Sequence, residues 1–311
     1  NSGSMILAME NAGQLIEDEE LRAQMRAADG DRERQLNLLR DAHHGALFQL
    51  LIADLEGRLT VERLADHLSA LADAVLAVVI ELAWDSIATR HREYPKFAVI
   101  GYGKLGGKEL GYASDLDLIF LYDDDAPESE SNYGKLVKRM LSWLTLQTSS
   151  GILFEVDMRL RPNGQDGLIA SNMEMFRRYQ RNLDGHGAWP WEHQALTRAR
   201  FCAGDPEVGA QFEEERRYIL TLPRDAAKTA QDVIDMRGKM LEGHPNSTGL
   251  FDVKHDRGGM VDLEFIVQYL VLAKSSEHPE LVNNFGTIHL TEMASRLGLL
   301  DAKPAATAVK A

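Results

Sequence analysis

Through the first ninety residues, apolar positions recur at three- and four-residue steps, the spacing of one face of an α-helix. Leu64, Leu68, Leu71, Val75, Val78 and Leu82 follow Thr60, a residue type that caps first turns, and predict one long amphipathic helix. Leu47, Leu50, Leu51 and Leu55 predict a shorter packing partner, within helical text that runs from Glu17 to about Arg92. His43 and His44, beside Gly45, read as solvent-facing or capping side chains. Tyr94-Pro95 breaks the pattern, because the proline ring disfavours helix at the residue before it. Residues 97–100, short, apolar and halted by Gly101, read as a buried strand, with 116–122 as its neighbour. Residues 123–131, DDDAPESES, read as a solvated loop, and 133–148 as a helix that Ser149-Ser150-Gly151 ends.

Residues 152–162, ILFEVDMRLRP, alternate. In a strand Val156, Met158 and Leu160 point one way and Glu155, Asp157, Arg159 and Arg161 the other, so the charged face borders a cleft or forms an exposed edge stitched by Glu–Arg pairs. A turn at 163–167 and a helix over 172–182 follow. A second helix is expected over 189–200, with Trp189 and Trp191 packing, Glu192 and His193 structural, and Arg198 and Arg200 near its end. From Val208 the pattern is helical again, through Leu220 and over 226–241. After the loop GHPNSTG and Phe251 to Lys254, a final pair of helices opens with 261–272, where Leu263, Ile266, Val267 and Leu270 form the apolar stripe. No repeat is visible, and the expected segments are 1–93, a helical lead-in; 94–207, the chemistry-bearing domain; and 208–311, a truncated helical domain.

The 311 residues allow two or three domains and a sizeable core. Basic residues number 34 and acidic ones 48, so the net charge is 34 − 48 = −14, which argues against non-specific binding to nucleic acid or anionic membrane but not against a nucleotide. The single cysteine, Cys202, cannot form an internal disulfide and fits a reducing compartment. No run approaching ~18 apolar residues and no basic-then-apolar leader stand out, so a cytoplasmic location is expected. Asn1 to Ser4 resemble a cloning scar and PAATAVKA ends without a clear cap, so a fragment of a longer protein is expected.

The chemistry lies between the two predicted strands. Asp115 and Asp117 project to the same side of an extended chain, roughly 6.6 Å apart at about 3.3 Å per residue. Two carboxylates kept ionised there call for a cation, and hard oxygens with no His or Cys nearby favour Mg²⁺ over zinc. Gly101, Gly103, Gly106, Gly107 and Gly111 allow positive φ and close backbone approach, so main-chain N–H groups can line a turn that holds phosphate. Phosphate with magnesium points to a nucleotide. Asp157 would be a third carboxylate, and Arg159 and Arg161 would meet phosphate oxygens. GYGKLG fits the dinucleotide pattern G-x-G-x-x-G, but Gly111 and SDLD arrive before a helix of ten residues could form, and repeated βαβ units do not follow. A Walker A motif fails because Glu109 follows Lys108.

Read together, the glycine turn, S-D-x-D and a later acidic residue resemble the nucleotidyltransferase superfamily that includes DNA polymerase β. Members usually have Gly-Ser where this chain has Gly103-Lys104, a departure that leaves Ser114 and backbone amides to contact phosphate. GYGKLGGKELGYASDLDLIF, TSSGILFEVDMRLRPNGQDG, WPWEHQALTRAR with GDP, and GGMVDLEFIVQYLVL narrow this to a resemblance to the glutamine synthetase adenylyltransferase (adenylyl-removing) family. The resemblance implies an α+β fold: a polymerase-β-like core of small mixed sheet and flanking helices, between an N-terminal helical segment and a C-terminal helical bundle.

That family carries two such halves, one attaching AMP to a tyrosine of glutamine synthetase and one removing it by phosphorolysis. TSSGILFEVD and WEHQALTRAR resemble the C-terminal, adenylylating half. Implied with it are ATP as substrate and two Mg²⁺ ions on Asp115, Asp117 and Asp157, the last also helping to deprotonate the tyrosine. Gly103, Lys104, Gly106, Gly107 and Ser114 would cradle phosphates, and Arg159 and Arg161 would stabilise charge. Glutamine synthetase is the implied partner in regulating nitrogen assimilation, with the PII signalling protein and glutamine as regulators. The rival readings are the deadenylylating half, a nicotinamide oxidoreductase that needs no divalent metal, and a docking module that binds no ATP.

Overall fold

The computed structural model describes residues 16, 19–28, 30–147, 151–283 and 286–310. The expected helical start at Glu17, Asn1 to Ser4 and the stop at Ser149-Ser150 lie outside the described residues. Helices α1 (Glu19–Ala27), α2 (Arg32–Leu55) and α3 (Val61–Asp85) lead into the sheet. The Thr60 hydroxyl accepts the Arg63 amide at 3.3 Å and opens α3, as expected from its place before the apolar repeat. Leu68, Leu71, Val75 and Val78 are buried along it. By length and composition α3 is apolar enough to cross a membrane, contrary to the expectation that no run comes close, and 67% of that stretch is buried within the fold.

Two expectations for α2 need correction. Leu51 and Leu55 do not pack; Leu55 is 79% exposed, because the buried face runs through Leu36, Leu39, Arg40, His43, Ala46 and Leu50. His43 therefore does not face solvent, and its ring meets Phe154 edge-on at 4.9 Å.

β1 (Phe97–Gly101) pairs antiparallel with β2 (Leu116–Tyr122), Gly101 standing opposite Leu118. Between them the chain makes the single helical turn α4 (Gly103–Gly106). α5 (Ser129–Thr145) follows β2, then β3 (Val156–Asp157) and β4 (Ser171–Asn172), parallel to the first and last residues of β2 respectively. α6 (Met173–Gln180) and α7 (Pro190–Leu196) precede β5 (Arg200–Gly204), which pairs antiparallel with the other edge of β1. The sheet order is β3-β2-β1-β5, with β4 also on β2.

The period of two decides what this sheet presents. Phe97 and Val99 of β1 and Leu116, Leu118 and Phe120 of β2 join α3 and the α5 residues Tyr133, Leu136, Val137 and Met140 in one core. Asp117 is thereby turned to the face opposite that helical layer.

Three loop and strand expectations are corrected. The strand over 152–162 is only Val156–Asp157, after which the chain turns at Arg159. The acidic loop is not wholly solvated: Asp124 is buried, accepting from His91 Nε2 (2.7 Å), Tyr133 Oη (2.7 Å) and Arg92 Nη2 (2.8 Å), and α5 already starts at Ser129. The helix over 189–200 stops at Leu196, and Arg200 opens a strand instead. Trp189 and Trp191 are exposed rather than packed.

The chain forms two compact units, Asn1–Phe176 with Arg200–Phe212, and Arg177–Ala199 with Glu213–Ala311. These are drawn by contact and interleave along the chain, whereas the three sequence segments follow it linearly. The first contains the sheet and α1 to α5. The second contains α7, α9 (Ala226–Gly243), α10 (Met260–Lys274), α11 (Thr287–Arg296) and α12 (Ala302–Lys310), after α8 (Pro206–Leu220) has crossed into it. There the buried Arg216 guanidinium donates to the carbonyls of Leu196, Thr197 and Val282, and Gln194 donates to Gln268 at 2.6 Å. Along α10, Val267 and Leu270 are buried as the stripe predicts, but Ile266 faces out.

Candidate active site

Parallel pairing of β3 with the start of β2 sets Asp117 directly opposite Asp157. Asp115, one residue before β2, lies on the same side as Asp117. Carboxylate oxygens of Asp115, Asp117 and Asp157 all lie within 4.8 Å of one another, Asp115 exposed and the other two half-buried. The tertiary fold thus brings together the three carboxylates that the sequence singles out. Three hard oxygen donors with open sides and no nitrogen or sulfur ligand among them suit Mg²⁺ better than zinc.

Arg159 stands where the chain turns away. Its amide donates to Asp157 Oδ1 at 2.8 Å, its Nε to Oδ2 at 2.6 Å, and its Nη2 forms an ion pair with the same carboxylate. These bonds to Arg159 hold the Asp157 carboxyl below the usual range, with partial burial opposing them. Asp157 in turn raises the guanidinium, with smaller contributions from Asp117 and Asp115. Arg159 therefore lies in the field of all three carboxylates. Arg161 is directed elsewhere: its Nη1 donates to the Met158 carbonyl at 3.1 Å and its Nε to the Gly167 carbonyl, bracing the 163–167 turn.

The glycine turn lies against Asp117. Gly103 has φ +55°, and a Cβ there would overlap Asp117 Oδ2, so the position requires glycine for both conformation and space. The Tyr102 amide donates to the Asp117 carbonyl at 2.8 Å and ties the turn to β2. Gly106 and Gly107 behave differently from the sequence expectation. Their amides donate inward to the carbonyls of Tyr102 and Gly103, both at 2.9 Å, and neither has positive φ. Gly101, inside β1, also has ordinary φ and instead makes room for Leu105 and Cys202. Lys104 is exposed on the turn. Ser114 Oγ accepts the Gly111 amide at 3.0 Å, which fixes the loop entering Asp115 and leaves its hydroxyl proton to be donated elsewhere.

The antiparallel β1–β2 pair and a four-residue α4 are not a βαβ unit, so the literal G-x-G-x-x-G match is not a dinucleotide fold. Glu192 and His193 have structural partners: Glu192 accepts from Tyr179 Oη and the Trp189 amide, and His193 Nε2 meets the Gln180 carbonyl at 3.1 Å. Sequence reasoning missed Asp73 and Arg200, which form a bidentate ion pair at 2.7 and 2.9 Å beneath the glycine turn. The signal available for Arg200 was RFCAG, a short apolar run stopped by Asp205-Pro206. For Asp73, on a helix otherwise read as packing, there was none.

A model of the glutamate-ammonia ligase adenylyltransferase family matches residues 7–215. The chain is 55% identical over 289 residues to a bifunctional glutamine synthetase adenylyltransferase/adenylyl-removing enzyme of Burkholderia mallei, covering 92% of this chain and 31% of the relative. Enzymes of the same description from Nitrosomonas europaea and Bordetella bronchiseptica are 54% and 57% identical, over 90% and 89% of this chain and 30% and 29% of the relatives. The chain thus spans about a third of the length of the curated relatives it matches. With the family match covering more than half of its residues, and the acidic cluster lying inside that match, the chain belongs to the glutamate-ammonia ligase adenylyltransferase family.

Proposed function

We propose that this chain is the adenylylating half of such an enzyme, transferring AMP from ATP to a tyrosine of glutamine synthetase. The observation that carries the reading is the convergence of Asp115, Asp117 and Asp157 beside a glycine turn with no room for a side chain. The tyrosine oxygen attacks the α-phosphorus, the new P–O bond forms as the bond to the β-phosphate bridging oxygen breaks, and pyrophosphate leaves. Two magnesium ions, when bound, would stabilise the attacking and leaving oxygens. Asp115 and Asp117 would hold both, and Asp157 would hold the one beside the nucleophile and accept the tyrosine proton. Gly103, Lys104 and Ser114 would hold the β- and γ-phosphates, and Arg159 is the guanidinium nearest the developing charge. Positioning and electrostatics supply most of the rate in transfer of this kind.

Assignment to the adenylylating half rests on the forms TSSGILFEVD and WEHQALTRAR. Glutamine and the PII signalling protein are proposed as regulators of the longer protein, in the cytoplasm. The test incubates the 311-residue chain with unmodified glutamine synthetase and ATP labelled in the α-phosphate, with and without Mg²⁺. Magnesium-dependent label on the synthetase is the expected result. Release of ADP from adenylylated synthetase and inorganic phosphate, without forward labelling, would instead assign the removing half.

A further inference from the structure

Arg200 is nearly buried, with 9% of its side chain exposed, and its guanidinium joins three elements that are distant in sequence. Nη1 and Nη2 grip the Asp73 carboxylate on α3, Nη1 also donates to the Phe201 carbonyl at 3.2 Å, and Nε donates to the Leu105 carbonyl at 3.1 Å. Leu105 belongs to α4, the turn whose Gly103 lies against Asp117. A guanidinium is a rigid planar fork, so fixing Nη1 and Nη2 on Asp73 fixes where Nε can hold a carbonyl. The turn is also closed by the Gly106, Gly107, Lys108 and Glu109 amides, tied to β2 through Tyr102 and seated by the buried Leu105 side chain, and the Arg200 guanidinium adds to these a polar link from its backbone to α3.

We propose that Arg200 and Asp73 are positioning residues for the nucleotide-binding turn. Both act through the Leu105 carbonyl and not through the reacting atoms. They anchor Leu105 to α3 from the helix-covered side of the sheet and so set the height of Gly103 and Lys104 over the carboxylates. The inference rests on the proposed nucleotide site and adds to it a pair outside the acidic cluster and the glycine motif. An ammonium group at position 200 keeps the charge but cannot span Asp73 and the Leu105 carbonyl in one plane. A turn freed in this way would hold bound nucleotide less well through Gly103 and Lys104 in ground and transition state alike, which appears in KM more than in kcat.

The experiment compares the 311-residue chain with Arg200→Lys, Asp73→Asn and the double variant. It measures MgATP binding by calorimetry, KM and kcat for MgATP, and hydrogen exchange of peptides covering 102–109 without nucleotide. A folded Arg200→Lys variant is expected to bind MgATP about tenfold more weakly, with kcat changed by less than about threefold. Exchange over 102–109 should be faster, and the double variant no worse than the worse single variant, because both act through one contact. Wild-type binding and exchange in a folded Arg200→Lys variant would overturn the assignment. If that variant does not fold, wild-type binding and exchange in Asp73→Asn, whose carboxylate is partly exposed, would overturn it equally. Absence of MgATP binding by the wild-type chain would remove the underlying nucleotide reading, and the inference with it.

Discussion

Gly103 and Asp117 are packed so closely that the Cβ of any other residue at 103 would occupy the space of Asp117 Oδ2. The backbone there is also left-handed, a conformation that costs an L-residue with a side chain roughly 1–2 kcal/mol. Glycine at 103 therefore keeps the turn close and the carboxylate in place.

Gly103→Ala should lower AMP transfer by about 100-fold, the scale expected when a reacting group is misplaced by about an ångström. The melting temperature should fall by a few degrees, as a backbone cost of roughly 1–2 kcal/mol implies, while the protein stays folded. Transfer kinetics and a melting curve on the same sample check it; near-normal transfer would show that the turn tolerates the displacement.

Asp115→Asn combined with Asp117→Asn should abolish transfer while leaving the fold intact. Asp115 is exposed, and the buried residues of β2 that join the helical core are Leu116, Leu118, Phe120 and Tyr122, which the change does not touch. Circular dichroism should match the wild type, and Mn²⁺ binding followed by electron paramagnetic resonance should be lost. Residual transfer by the double variant would sink the role given to these two residues.

Arg159 and a divalent cation compete for Asp157, because the guanidinium engages its Oδ2 through both Nε and Nη2 while the Arg159 amide holds Oδ1. Arg159→Gln should therefore tighten Mg²⁺ binding in the absence of nucleotide by about threefold at low salt, an exposed ion pair being worth only about 0.2–1 kcal/mol. The same change should lower kcat by about 10- to 100-fold if the guanidinium meets developing charge. Metal titration without ATP, set against steady-state kinetics, separates the two effects.

Asp124 has 1% of its side chain exposed, and although burial opposes ionisation, His91, Tyr133, the Ala126 amide and Arg92 hold its carboxyl far below the usual range. A depressed carboxylate pKa stabilises the fold above the unfolded value of about 3.9, and that stability is lost as pH falls through the folded value. Asp124→Asn should cost about 2–3 kcal/mol at pH 7. The gap from wild type should narrow below about pH 4, which denaturant unfolding at pH 7 and pH 3 measures.

His43 is pushed down to about 4, first by burial and then by its neighbour His44. The unfolded chain takes up a proton near pH 6.5, so this residue's contribution is whole above that pH and declines as the pH falls toward 4. His43→Leu should flatten the stability profile across that window, as melting temperatures at pH 7 and pH 5 would show.

The linear sequence was enough to determine the long helix behind Thr60, the two apolar strands around the glycine turn, and the alternation that puts Asp115 and Asp117 on one side. These follow from local rules, a period of 3.6 or 2 and the chemistry of glycine. It also singled out Asp157, but on the basis of an eleven-residue strand that does not exist. Two residues of parallel pairing with β2 are what place that carboxylate, and such pairing is a long-range event that no local pattern records. The same limit explains β5, whose Arg200 was read as the end of a helix, and Asp73, 127 positions away in sequence. It explains Asp124 and His43 as well, which look solvated by composition and are buried by the helices packed around them. Residue spacing settled which groups could do the chemistry; only the packing of distant segments decided which of them meet, because burial and partner choice are properties of the folded chain.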